Sequence, residues 1–219
     1  MSYAHLLPPL LRGFEVTIWI TLASTLCGGI LSFAAGIGKI SHNWLVRSIA
    51  NLYIEIFRGT SLLVQLFWLF YALPLLGVSL SPVDAGVAGL SLNIGAYGAE
   101  VVRGAILAVD QGQYEAATAL NFSPRQTLWR VLIPQAVVEM MPTFGNLVVQ
   151  NMKDSALVSL ITLSDLTLQA QTLRNETLQT VPIYSITLVL YFLLALVLMA
   201  AMRWLERFLA RAAGREGGR

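Results

Sequence analysis

Charge is scarce in this sequence. Asp, Glu, Lys and Arg make up 12% of its 219 residues, against about 25% in a soluble globular domain, so the chain cannot present a water-facing surface along its whole length. Its only lysines are Lys39 and Lys153, and neither stands in the G-x-x-x-x-G-K-[ST] pattern that cradles phosphates. ATP hydrolysis by the usual route is therefore excluded, and energy must come from another subunit or from an ion gradient. Cys27 is the only cysteine, which excludes an internal disulfide and a cysteine-based zinc site; its apolar surroundings predict a small buried residue. His5 and His42 are the only histidines, one ahead of the first apolar segment and one in a loop. With no H-E-x-x-H pair, an intramembrane enzyme would lack the metal ligands or the base it needs. The net charge of +2 is small and dispersed over loops and tail, which argues against a nucleic-acid partner. Residues 1–12 do not lead from a cationic stretch into a short apolar core with a small-residue exit, so no cleaved signal peptide is expected.

Apolar residues, in contrast, make up 56% of the chain. A membrane-spanning helix needs about 20 mainly apolar residues, and such windows lie near 14–37, 54–76, 83–108, 136–152 and 182–204. The fold class expected is all-α integral membrane, with five transmembrane helices in one domain over residues 1–219. Five spans put the termini on opposite sides. One face then carries Lys39, Arg47, Arg125, Arg130, Arg203, Arg207, Arg211, Arg215 and Arg219, with Arg58 and Arg103 at adjoining helix ends, whereas the other has Arg12, Lys153 and Arg174. By the positive-inside rule the basic tail, residues 205–219, is cytoplasmic and the N-terminus is outside.

Polar residues recur inside these windows at helical spacing. Glu55, Arg58 and Gln65 would share one face of the second span, and Asn93, Tyr97 and Glu100 one face of the third. Such a face either lines a route for a polar solute or, for the charged residues, fastens helix ends through pairs at i, i+3. Thr17, Thr21, Ser24 and Gly28 on the first span predict close helix packing. The fourth window is interrupted by Glu139, Pro142, Gly145, Asn146, Gln150 and Asn151, so other helices should enclose it; Asn146 and Gln150, four apart, could hydrogen-bond a solute. Lys153, Asp154 and Ser155 follow, and then an apolar run over 156–163 that is too short to span and is expected to dip into the protein as a broken element. The candidate solute path is thus Arg58, Gln65, Asn93, Tyr97, Glu100, Asn146, Gln150, Lys153 and Asp154, whose mixed charge suits a small zwitterion.

Hydrophobicity falls over residues 111–134 without the composition of a flexible linker. A short helix is expected over 113–120, ended by Asn121 in the left-handed conformation. A second starts at Ser123-Pro124, where Gln126 completes an S-x-x-Q capping box. A rigid helix-turn-helix on the cytoplasmic face is either a docking element or an interfacial hairpin with no partner.

Glu115-Ala116-Ala117, three residues, Asn121, nine residues and Val131-Leu132-Ile133-Pro134 resemble the EAA motif of ABC importer permeases, E-A-A-x3-G-x9-I-x-L-P, with Asn121 in place of the usual Gly. Arg58-Gly59-Thr60-Ser61-Leu62-Leu63-Val64-Gln65, the run from Gly95 to Ile106 and Lys153-Asp154-Ser155-Ala156-Leu157-Val158-Ser159 extend the likeness to the polar-amino-acid branch, the histidine, glutamine and arginine type. The resemblance implies a type I importer fold whose short coupling helix seats in a cytoplasmic ATPase dimer, through Glu115, Ala116, Ala117, Ala119, Asn121 and Pro134. It also implies an external solute-binding protein, with ATP-Mg held by the ATPase and no cofactor on this chain. Five helices are few to enclose a path, so a second permease subunit, identical or related, is expected. The solute implied is a polar amino acid, with ectoine-type compatible solutes and opines as related zwitterions. The competing function, an ion-coupled secondary carrier, would predict an internal repeat, and none is evident.

Overall fold

The computed structural model describes residues 6–212, and all regular structure among them is helical. Nine α-helices follow in order: α1 (Leu7–Lys39), α2 (Trp44–Gly59), α3 (Leu62–Phe67), α4 (Pro82–Leu107), α5 (Gln111–Ala119), α6 (Pro124–Thr127), α7 (Ile133–Asp154), α8 (Leu166–Thr177) and α9 (Thr180–Ala212). Three continuous stretches are long and apolar enough to cross a membrane: Leu7–Lys39, Pro124–Ile161 and Thr180–Arg211. Counting as one span each of two bent pairs, Trp44–Gly59 with Leu62–Leu76 at 104° and Pro82–Leu107 with Gln111–Ala119 at 65°, brings the candidate spans from three to the five expected.

The centre of the bundle is the packing of α1 along α4, and small residues set its closeness. A Cβ on Gly36 would stand 2.8 Å from Ala99 O, and one on Gly28 would stand 3.1 Å from Ser91 O. Thr17, Thr21, Ser24 and Gly28 are all buried. The hydroxyls turn back onto their own helix, as in Thr21 Oγ1 to Thr17 O at 2.7 Å, so the stripe is structural, as its spacing predicts. Cys27 departs from expectation: it is exposed on the outer side of α1, because burial follows the Ser24–Gly28 face and Cys27 lies off it.

The second span differs from the sequence-based picture. It begins at Trp44, with Asn43 Oδ1 accepting from Leu45 N–H at 3.0 Å, so what reads as loop in the sequence is amphipathic helix. The chain then turns at Thr60-Ser61, and Glu55, Arg58 and Gln65 do not share a helix face. The fourth span, in turn, is not broken. α7 runs unbroken through Pro142, which removes one backbone hydrogen bond. α1, α4 and α9 pack on one side of the helix, while Glu139, Pro142, Asn146 and Gln150 stay exposed on the other, so helices of this chain do not enclose it as its polar interruptions predict. A 3-10 helix, Ser155–Ile161, follows. It buries Ser155, Val158, Ser159 and Ile161, and two hydroxyls answer carbonyls, Ser155 Oγ to Met152 O and Ser159 Oγ to Ala156 O, each at 2.7 Å. It takes up most of the apolar run 156–163 and packs against α1, α3, α4, α7 and α8. Thr162, at φ 64°, ends it in the left-handed conformation, and Asp165 caps α8 by accepting from Leu168 N–H at 2.9 Å. α9 continues to Ala212 and carries Arg203, Arg207 and Arg211; His5, Arg215 and Arg219 lie outside the described residues.

Candidate translocation cavity and coupling loop

A cavity of about 470 Å³ lies between the α2–α3 break, α4 and α7, lined among others by Thr60, Ser61, Asn93, Tyr97, Gln150, Asn151 and Asp154. Four candidate path residues meet here: Asn93, Tyr97, Gln150 and Asp154. They come from two helices whose polar positions recur every three or four residues, so each helix turns one hydrophilic edge inward. Gln150 Nε2 donates to Asp154 Oδ1 at 2.9 Å. Asn151 is buried and donates to Ser24 Oγ at 2.8 Å and to Thr25 Oγ1 at 3.1 Å, which fixes α7 against α1. The cavity wall therefore carries a carboxylate, amides and hydroxyls on a braced frame.

The remaining candidates are placed otherwise. Gln65 sits behind the wall: its Nε2 donates to Phe57 O at 3.0 Å, Thr60 O at 3.3 Å and Thr60 Oγ1 at 2.8 Å. Asn93 Nδ2 adds bonds to Phe57 O at 3.2 Å and Gln65 Oε1 at 3.4 Å. Where α2 ends, its last carbonyls lose their helical donors, and these two amides replace them. Arg58 and Glu100 are joined beside the cavity, Arg58 Nη1 to Glu100 Oε1 at 3.7 Å. Asn146 and Lys153 do not line it. Asn146 faces a separate cleft of about 240 Å³ between α7 and α9, with Met202, Arg203 and Glu206, and Lys153 lies by Tyr191 and Phe192 of α9. Both flank Gln150 on the side of α7 turned toward α9, with Leu147, Asn151 and Asp154 on the side turned toward the cavity. Thr60 and Ser61 were not among the candidates; a Gly-Thr-Ser run inside an apolar window is the turn signal that marks them.

The loop after α4 has the anticipated form with two adjustments. Asn121 takes φ 57°, and the Ser123–Gln126 capping box is present in both directions, with Gln126 N–H to Ser123 Oγ at 3.3 Å and Ser123 N–H to Gln126 Oε1 at 2.8 Å. α5 starts at Gln111, with Asp110 as its cap, so Glu115 lies mid-helix and accepts from Gln111 Nε2 at 3.1 Å. Ala117 is 2% exposed: its small side chain admits the chain's own turn, where Phe122 N–H bonds Ala117 O at 3.0 Å. Glu115, Ala116, Ala119 and Asn121 are exposed. Pro134 sits in the first turn of α7, directly after the π-helical turn Leu128–Leu132. Residues 28–211 match the family described as binding-protein-dependent transport system inner membrane component.

The chain belongs to that family. The permease is 57% identical, over 98% of its length and 92% of the relative's, to a protein of Sinorhizobium fredii named "Probable amino-acid ABC transporter permease protein". It is 33% identical to the glutamine transport system permease of Escherichia coli over 92% of this chain and 93% of that one. With the L-cystine transport system permease of Bacillus subtilis the identity is 36%, over 93% and 89%. Among solved structures, an amino acid ABC transporter crystallised with histidines superposes with a TM-score of 0.86 at 32% identity, covering 94% of this chain and 98% of that one. The inward-facing MetNI methionine transporter, at 21% identity and a TM-score of 0.80, shows the same fold. The permease is thus a multi-pass inner-membrane component of a binding-protein-dependent ABC importer, a transport subunit and not an ATPase. An ATPase and a solute-binding protein are its partners, and the ion-coupled alternative falls away.

Proposed function

We propose that the permease, paired with a second permease subunit of the same kind, forms the translocation path for a polar amino acid. The observation that carries this reading is the cavity itself, which sets the Asp154 carboxylate among Thr60, Ser61, Asn93, Tyr97 and Gln150. A carboxylate suits the ammonium of a zwitterion, and amides and hydroxyls suit its polar remainder. Arg58, whose guanidinium carbon lies 5.3 Å from the Tyr97 ring centroid, supplies the opposite sign at the margin. The names of the relatives, glutamine and L-cystine permeases among them, support the same class. In this reading α5, with Glu115, Ala116 and Ala119 outward, couples a cytoplasmic ATPase dimer to the gate, with the N-terminus outside and the C-terminus in the cytoplasm.

The test is ATPase activity and uptake by the reconstituted complex with its binding protein. The panel holds the common L-amino acids, ectoine-type solutes, opines, sugars and metal ions. Stimulation by polar amino acids is expected; a response to sugars or metal ions alone would refute the substrate class.

A further inference from the structure

Four charged side chains from three helices meet beside the cavity wall. Glu100 Oε1 accepts from Lys39 Nζ, at the end of α1, and lies 3.7 Å from Arg58 Nη1, near the end of α2. Glu100 Oε2 accepts from Arg103 Nε at 3.0 Å, three residues on in α4. A simple helix-end fastener would need Arg103 alone. The contacts to α1 and α2 require a further reason, and Arg58 supplies it. Its guanidinium lies over the ring of Tyr97, and Tyr97 lines the cavity. Arg58 also immediately precedes the break whose Thr60 and Ser61 line the same cavity. A long side chain with 43% of its surface exposed has many rotamers to lose, and a cation over an aromatic ring is a weak anchor at an exposed site. Two anchors, ring and carboxylate, hold it in one pose.

We infer that Glu100 is a positioning residue for transport: it holds Arg58 over Tyr97 and so fixes the wall formed by Tyr97, Thr60 and Ser61, without touching the solute itself. The inference rests on the assignment of the cavity as the solute path. Neutralising Glu100 would do more than release Arg58. It would leave Lys39, Arg58 and Arg103 as three like charges around one point, and their repulsion would drive Arg58 off the ring.

The test uses the whole transporter, co-expressed with its own ATPase and binding protein and placed in lipid nanodiscs or proteoliposomes. With 3-fluorotyrosine at position 97, the fluorine resonance reports the cation over the ring directly. Glu100→Gln is expected to move it as Arg58→Met does, while Arg103→Gln, which spares the Oε1 contact to Arg58, leaves it in place. Uptake of radiolabelled L-amino acids should fall about tenfold in Glu100→Gln and in Arg58→Met, with no further fall in the double variant, because residues in one contact network are not additive. Additive losses, or an unmoved resonance in Glu100→Gln, would overturn the inference. If the wild-type complex takes up no amino acid, the functional reading fails, and the fluorine comparison alone still decides whether Glu100 positions Arg58.

Discussion

Gln150 and Asp154 are bonded one turn apart on the cavity-lining edge of α7, with Nε2 donating to Oδ1 at 2.9 Å. The amide holds the carboxylate at a fixed angle and leaves Oδ2 for another donor. Asp154→Asn is expected to reduce uptake by about ten- to a hundredfold, the worth of a hydrogen bond to a charged group. Gln150→Leu frees the carboxylate but leaves its charge, so a loss of about two- to fivefold is expected. Uptake rates at matched amounts of assembled complex check both, and wild-type kinetics in Asp154→Asn would remove the carboxylate from the path.

The break between α2 and α3 depends on Gln65. Gln65→Leu keeps the volume but strips Phe57 O and Thr60 O of their shared donor. Phe57 O keeps Asn93 Nδ2 and Thr60 is exposed, so the cost is that of lost hydrogen bonds, about 0.5–1.5 kcal/mol each. A lower unfolding temperature is therefore expected in detergent, with Asn93→Leu acting on the same carbonyl of Phe57. The two effects should be less than additive, since Gln65 and Asn93 are bonded to each other. Thermal melts of the single and double variants decide this, and an unchanged melt in Gln65→Leu would return Gln65 to the solute path.

At the coupling loop, burial separates two alanines that the sequence treats alike. Ala117→Arg must force a long cation into the chain's own turn, so it should unfold the loop itself and is a poor probe of docking. Ala119→Arg, on the exposed end of α5, should leave the loop intact and abolish ATPase copurification. Glu115→Gln deletes the charge while keeping helix propensity. A modest loss of association, within the 0.2–1 kcal/mol typical of exposed ion pairs, is expected. Hydrogen exchange over residues 111–134 distinguishes the cases, and normal copurification with Ala119→Arg would show that the ATPase docks elsewhere.

Orientation is checked by fusion. A phosphatase or fluorescent reporter after Arg219 should report a cytoplasmic C-terminus, because the basic residues concentrate on that side. Periplasmic activity would invert the whole assignment.

Much of the architecture was legible because hydrophobic length and capping chemistry are local. Ser123 and Gln126 announced their capping box, and Asn121 its left-handed turn, within a few residues of sequence. The bend at Thr60-Ser61 was not recovered, since the apolar window runs across it and a helical wheel drawn through 54–76 places Arg58 and Gln65 on a face that does not exist. On α7 the helix is real, yet Asn146 and Lys153 border clefts toward α9 and not the cavity that Gln150 and Asp154 line. Which edge of a helix meets a cavity depends on its neighbours, and those are long-range facts. Cys27 is exposed, against expectation, for the same reason: in a membrane, an apolar stretch says nothing of which side faces lipid and which faces protein.

The length of α9 bears on the membrane the permease can inhabit. At 33 residues and 1.5 Å per residue the helix is about 50 Å long, well beyond a hydrocarbon core of about 30 Å. The surplus carries Arg203, Arg207 and Arg211 together with Trp204 and Phe208, whose rings stack at 5.8 Å. Aromatic and cationic side chains of this kind settle at the headgroup level. Several turns of such side chains follow in succession, so the headgroup level can lie at more than one height along this end of α9 without placing a cation in the hydrocarbon.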